Sequence, residues 1–178
     1  MPYKPGTPPA YGPLKLQIPN LPILGPHDWG KLLKNIYDSI VAEATAADLY
    51  YRLLRETPNQ LHREFVHHAY QDELKHLEAF SRLYSFFTGQ KPHYTIDPVQ
   101  YRSYEEGLLI SLQSELEAAE FYHEVILSST DGLVRDTFFL AMGDELEHAT
   151  RFGVLYAMTK GSPLFYNVAD PQSQGEIK

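Results

Sequence analysis

Four glutamates and two histidines of this 178-residue chain have the types and spacing to hold a pair of metal ions. Glu73 and His76 stand three residues apart, as do Glu145 and His148. On a helix that separation puts both side chains on one face, one turn apart. Thirty residues before each of these glutamates stands another, Glu43 and Glu115. Carboxylate oxygen and imidazole nitrogen together suit iron or manganese. The chain has no cysteine, which excludes disulfides, thiolate-bound zinc, a thiol nucleophile and a cysteine-held iron centre.

The Glu-x-x-His spacing is not selective by itself. With 14 Glu and eight His among 178 residues, chance gives fewer than one occurrence, and the chain has four. An internal repeat with an offset of 72 residues selects two of them. Glu43-Ala-Thr-Ala-Ala-Asp-Leu-Tyr50 falls on Glu115-Leu-Glu-Ala-Ala-Glu-Phe-Tyr122. With no gap, Asp72-Glu-Leu-Lys-His76 falls on Asp144-Glu-Leu-Glu-His148, and Phe80 on Phe152. Leu61, Arg63 and Ala69 meet Leu133, Arg135 and Ala141, which makes 12 identities over the 38 positions 43–80. The remaining two motifs, Glu64–His67 and Glu120–His123, have no repeat partner. At about 100° per residue, Glu64 lies roughly 180° round the helix from Glu73, and Glu120 roughly 140° from Glu115. Both motifs should face solvent.

The repeated residues read as inward. Ala69, Glu73, His76 and Phe80 follow the i, i+4, i+7, i+11 stripe of a buried helix face, as do Ala141, Glu145, His148 and Phe152. Glu43, Ala46 and Tyr50 share a face, and so do Glu115, Ala118 and Tyr122. Unpaired charges on such faces would cost several kcal/mol each. Divalent cations are the natural compensation. Surface salt bridges, the plainer reading of Glu and His, do not explain six ligand-type residues recurring in register.

The elements that must position them are four helices of about 30 residues, each roughly 45 Å long. The first is expected from about Asp28 to Glu56. Thr57-Pro58 resembles an N-cap followed by proline and opens the second, with Gly89 as its stop. Asp97-Pro98 repeats that signal for the third helix, ending near Ser128. Asp131 starts the fourth and Gly161 ends it. The pattern predicts an all-α, four-helix bundle over residues 28–161. Residues 1–27 hold eight of the 13 prolines and read as an extended arm. Leu14, Leu16, Ile18, Leu21, Ile23 and Leu24 make it apolar enough to pack along the bundle or on a neighbouring subunit. Residues 162–178 read as a polar tail.

The formal charge of −8 argues against a nucleic-acid partner. No apolar run is long enough to span a membrane, and no basic segment followed by an apolar run marks a signal peptide, so a cytoplasmic location is expected.

At the six repeated residues the sequence resembles the ferritin-like superfamily, and within it the rubrerythrin-type di-iron proteins, over about residues 28 to 160. The resemblance implies two Fe ions, or Mn, held by Glu43, Glu73, His76, Glu115, Glu145 and His148. Glu73 and Glu145 would bridge, and each histidine would cap one metal. It also implies that Asp72 bonds His148 and Asp144 bonds His76 across the bundle, fixing each ring. Tyr50 and Tyr122 either hydrogen-bond the site carboxylates or only pack. Two departures stand out. There is no cysteine for a rubredoxin domain, so an electron donor would be a separate molecule. The position where rubrerythrins carry an extra glutamate is Ala118, which weakens the expectation of rubrerythrin-style peroxidase chemistry. The family fold also runs helices two and three parallel, and residues 89–97 span at most about 30 Å. Either the third helix begins later, near Tyr104, or the second ends earlier.

The function expected is a di-iron or di-manganese oxidoreductase reacting with dioxygen or hydrogen peroxide, with no catalytic residues beyond the metal ligands and with a homodimer as the assembly. The alternatives are a ferritin-type iron-binding or ferroxidase protein, a metal-stabilised structural or coat protein, and a manganese catalase-like enzyme.

Overall fold

A computed structural model describes residues 29–161, which form four helices and no strand. The arm of residues 1–27 and the tail of residues 162–178 lie outside the described residues. The helices are α1 (Trp29–Leu53), α2 (Gln60–Thr88), α3 (Tyr104–Ser128) and α4 (Gly132–Thr159).

Two of the expected starts are displaced. Asn59, not Thr57, caps α2, with its side chain accepting from the His62 N–H at 3.1 Å. Thr57 is used differently: its hydroxyl donates to the Leu54 carbonyl and helps close α1. Helix α3 begins at Tyr104 rather than Pro98, the later of the two starts that the crossing distance allowed. Its cap is Ser103, which accepts from the Glu106 N–H, while the Glu106 carboxylate accepts the Arg102 N–H at 2.6 Å. This Ser-x-x-Glu signature was present in the sequence, and its side-chain bonds outweigh the proline signal before it. Helix α1 closes at Leu53, short of the expected Glu56, while the ends marked by Gly89, Ser128 and Asp131 fall as expected. Asp131 caps α4 through the Val134 N–H, and Gly89 takes φ +70° to stop α2, a conformation with no steric cost for glycine.

Helices α1 and α2 run antiparallel, with Trp29 against Phe87 and Tyr51 against Tyr70. Phe80 of α2 meets Phe138 of α4, and Phe65 meets Arg151, so this pair is antiparallel too. Helices α2 and α3 are therefore parallel, and residues 89–103 must travel the length of the bundle. They do so along α1: the His93 carbonyl accepts from Tyr37, the Val99 carbonyl from Arg52, and Tyr101 donates to Glu56. Arg52 also lies over the Tyr101 ring at 5.1 Å. At the end of this strap a Cβ on Gly107 would come within 2.5 Å of Leu53, so glycine lets α3 start against α1.

The apolar interior divides into two clusters. One contains Ile36, Ile40, Phe80, Tyr122 and Phe138, the other Leu49, Leu53, Val66, Leu108 and Phe152. The six repeated residues sit between them at mid-height. Phe80 is fully buried and touches both Tyr122 and Phe138, at 5.4 and 4.7 Å between ring centroids. Replacing it (Phe80→Ala) should cost about 3–5 kcal/mol in denaturant unfolding; a loss below about 1 kcal/mol would mean this layer is not packed as described.

Candidate metal centre

Each helix contributes to one buried cluster. Glu43 comes from α1, Glu73 and His76 from α2, Glu115 from α3, and Glu145 and His148 from α4. All six are buried, none more than 7% exposed. The stripes that carry them, Ala69–Glu73–His76–Phe80 and Ala141–Glu145–His148–Phe152, are buried throughout. The two unrepeated motifs, Glu64–His67 and Glu120–His123, are exposed, as helical geometry requires.

The donor atoms form two overlapping sets. Glu43, Glu73, Glu145 and His76 offer one atom each within 4.8 Å of one another, and so do Glu73, Glu115, Glu145 and His148. Glu73 and Glu145 belong to both. The histidines face the sets through Nδ1. His76 Nδ1 lies 3.5 Å from Glu43 and 3.3 Å from Glu145. His148 Nδ1 lies 3.1 Å from Glu73 and 3.5 Å from Glu115.

The opposite nitrogen of each ring is engaged as the resemblance implied. His76 Nε2 meets Asp144 at 3.0 Å, and His148 Nε2 meets Asp72 at 3.4 Å. A carboxylate there holds a proton on Nε2 and leaves Nδ1 as the inward lone pair, which is what a metal ligand needs. The tyrosines bond rather than merely pack. Tyr50 of α1 donates to Glu115 of α3, and Tyr122 of α3 donates to Glu43 of α1. Each helix of this pair thus orients the glutamate of the other. Burial and the neighbouring carboxylates push both phenols well above their usual range, so they remain donors.

Electrostatics show what bound cations would relieve. Burial, reinforced by Glu73 and Glu145, holds the Glu43 carboxyl well above the usual carboxylate range, and burial with the same neighbours raises Glu115. Burial would lower His148, but Glu115, Glu145 and Glu73 outweigh it and push the ring up to about 12. His76 is raised in the same way by Glu145, Glu43 and Glu73. Without metal, bound protons compensate the carboxylates. Even so, Glu73 Oε1, His76 Nδ1 and Glu145 Oε1 are buried with no hydrogen-bond partner. Three orphaned donor atoms directed into one all-oxygen-and-nitrogen cluster fit bound divalent ions.

The two ends of the site differ. Asp144 is half exposed. Asp72 is nearly covered and also meets Lys75 at 2.5 Å and His68 at 3.1 Å. Burial raises the Asp72 carboxyl, but bonds from Lys75 and His148, with the His68 charge, leave it below the usual range. Sequence reasoning missed His68 and Lys75. Their helical spacing to Asp72 was visible, but the repeat hid them, because the matching positions are Leu140 and Glu147.

Two surface furrows approach the cluster. One, about 460 Å³, lies between α1 and α3 and is lined by Ala46, Tyr50, Ser114, Ala118 and Phe121 among others. The other, also about 460 Å³, lies between α2 and α4 and reaches His76 and Asp144.

A pH dependence follows. In the metal-free protein His76 and His148 hold protons more tightly folded than unfolded. Their contribution is complete below the ordinary 6.5 and fades as pH rises toward the folded value, about 12 for His148. The raised Glu43 and Glu115 act with the same sign from their ordinary 4.5 upward. Glu145, held low by Glu115, His148 and His76 against the effect of burial, matters only in acid. The Tm of metal-free protein should therefore fall from about pH 6 to about pH 9, while the stabilisation given by added Mn(II) grows, because ligation displaces those protons. A metal-free Tm that climbs across this window contradicts the assignment.

Known proteins place the fold. No family model matches the chain. It is 27% identical over 125 residues to the uncharacterized protein YhjR of Bacillus subtilis, covering 68% of this chain and 83% of that one. Among solved structures it resembles a hypothetical protein of Pyrococcus furiosus with a TM-score of 0.64 at 20% identity, over 73% of this chain and 90% of that one. It also superposes, with a TM-score of 0.61 at 12% identity, on a two-domain protein of Anabaena variabilis containing DJ-1/ThiJ/PfpI-like and ferritin-like domains. That match covers 84% of this chain and 40% of the other. With four antiparallel-paired helices, a long crossing strap and this likeness, the chain has a ferritin-like four-helix fold with buried carboxylate and histidine clusters able to hold metal ions.

Proposed function

We propose that the protein is a di-iron, or di-manganese, carboxylate oxidoreductase of rubrerythrin type, acting on dioxygen or hydrogen peroxide. The observation that carries this reading is the pair of overlapping four-ligand sets sharing Glu73 and Glu145. Four carboxylates and two neutral imidazoles balance the charge of two divalent ions. Glu43 and His76 would hold one ion, Glu115 and His148 the other, with Glu73 and Glu145 between them. Two ions so held supply redox electrons and open coordination positions for the oxidant.

The chain's own residues supply the rest. Asp72 and Asp144 fix the rings, and Tyr50 and Tyr122 fix Glu115 and Glu43. Ala46 and Ala118 keep the α1–α3 furrow open to a molecule the size of dioxygen or peroxide. Ala118 also leaves the ligand set at six, with no spare carboxylate one turn after Glu115. Electrons come from a separate donor, since the chain has no cysteine with which to build a second iron centre. No described helix is long and apolar enough to cross a membrane, and we place the protein in the cytoplasm.

The test is anaerobic loading with Fe(II), followed by rapid mixing with oxygenated buffer or hydrogen peroxide. Fast oxidation by at least one of them, seen as growth of the near-ultraviolet ferric absorbance and lost when Glu73→Ala and Glu145→Ala are combined, is expected. A loaded protein inert to both oxidants would sink the proposal.

A further inference from the structure

Beside the buried cluster a smaller group of ligand-type atoms opens to solvent. His68, Asp72 and His148 each offer one atom, and the three lie within 4.8 Å of one another. His68 Nε2 is 3.1 Å from Asp72 Oδ2 and 3.5 Å from Glu147 Oε1. Ligands held about 2.1 Å from one ion at ordinary coordination angles lie about 3.0–3.4 Å apart, so this spacing needs little adjustment to take a cation. An imidazole with two carboxylates favours a first-row divalent transition metal over magnesium or calcium.

These donors are graded from surface to interior. Side-chain exposure falls from 50% at Glu147 and 43% at His68 to 11% at Asp72 and 0% at His148. His148 Nε2 lies 3.4 Å from the same Asp72 oxygen, and its Nδ1 is 3.1 Å from Glu73, which both buried ligand sets share. Ligand-type atoms thus follow one another from solvent to the cluster in steps of 3.1 to 3.5 Å.

The internal repeat separates this arrangement from the task of holding a histidine ring. Asp144 bonds His76 as Asp72 bonds His148, yet the places matching His68 and Glu147 are Leu140 and Lys75. Asp144 therefore does its work with an aliphatic and a cationic residue at those places. His68 and Glu147 are additions on the His148 side, and ring-holding does not account for them.

Two cations temper the site. Lys75 takes Oδ1 of Asp72, leaving Oδ2 to the histidines. Arg151 bonds Glu147 and also lies over the Phe65 ring at 4.8 Å, so it keeps a partner when an ion claims the carboxylate. Their positive charge weakens the hold on a bound ion relative to the buried cluster. A weak site open to solvent suits passing an ion on rather than keeping it.

We propose that His68, Asp72 and Glu147 form a third cation site, which captures a divalent transition-metal ion at the surface and hands it past His148 to the buried cluster. The hand-over rests on the two-metal reading of that cluster; the capture site does not.

The test is equilibrium dialysis of the full chain against Zn(II), with bound metal counted per chain. The native chain, the His68→Ala variant and the combined Glu73→Ala and Glu145→Ala variant should hold about three, two and one ions. Glu147→Gln, a second surface variant outside the cluster, should match His68→Ala. Equal counts for the native chain and both surface variants overturn the proposal and leave the two-metal reading intact. Equal counts for the native chain and the combined variant overturn that reading and leave the capture site standing. Anaerobic Fe(II) uptake, followed by stopped-flow intrinsic fluorescence, should be several-fold slower in His68→Ala. An unchanged rate overturns the hand-over.

Discussion

Four carboxylates and two imidazoles meet at the centre of a bundle whose layers above and below are aliphatic and aromatic. Placing such groups out of water is costly unless opposite charge accompanies them. In the metal-free protein protons do this incompletely, leaving raised carboxyls, raised histidines and three buried donor atoms without partners. Most other features of the interior follow from that requirement. The two sets share Glu73 and Glu145, so two ions held there would both lie within reach of one pair of carboxylates, and all four helices contribute because no one helix face carries enough ligand-type groups.

Orientation is supplied from across the bundle. Tyr50 and Tyr122 exchange bonds with the glutamate on the opposite helix, and Asp72 and Asp144 hold the histidines of the opposite hairpin. These reciprocal contacts tie the two halves of the repeat together at the level of the site. They also explain the strap: the pairing needs α2 and α3 parallel, so residues 89–103 run along α1 and are bonded there by Tyr37, Arg52 and Glu56. The halves are not equivalent at their margins. Asp72 is enclosed by His68 and Lys75, while Asp144 opens on the α2–α4 groove.

Much of this was readable from residue spacing. The six cluster residues, the cross-bundle roles of Asp72 and Asp144 and the caps at Gly89 and Asp131 follow from the repeat and from helix-end chemistry together with the family resemblance. The starts of α2 and α3 did not, because Thr57-Pro58 and Asp97-Pro98 compete with nearby Asn59 and Ser103, and only side-chain bonding decides between neighbouring caps. The tyrosine bonds stayed ambiguous since spacing gives a residue's face but not its partner. His68 was hidden because a repeat reveals what the halves share, and His68 is one of the places where they differ.

The buried cluster is proposed to be a two-metal site. Metal analysis of the protein purified without added metal, expressed per chain, tests it most directly. About two ions of iron or manganese per chain, displaced only by prolonged chelation, is the result this account predicts. A well-folded protein that carries no metal and takes up none would contradict it, and the six residues would then be a proton-held ionic core.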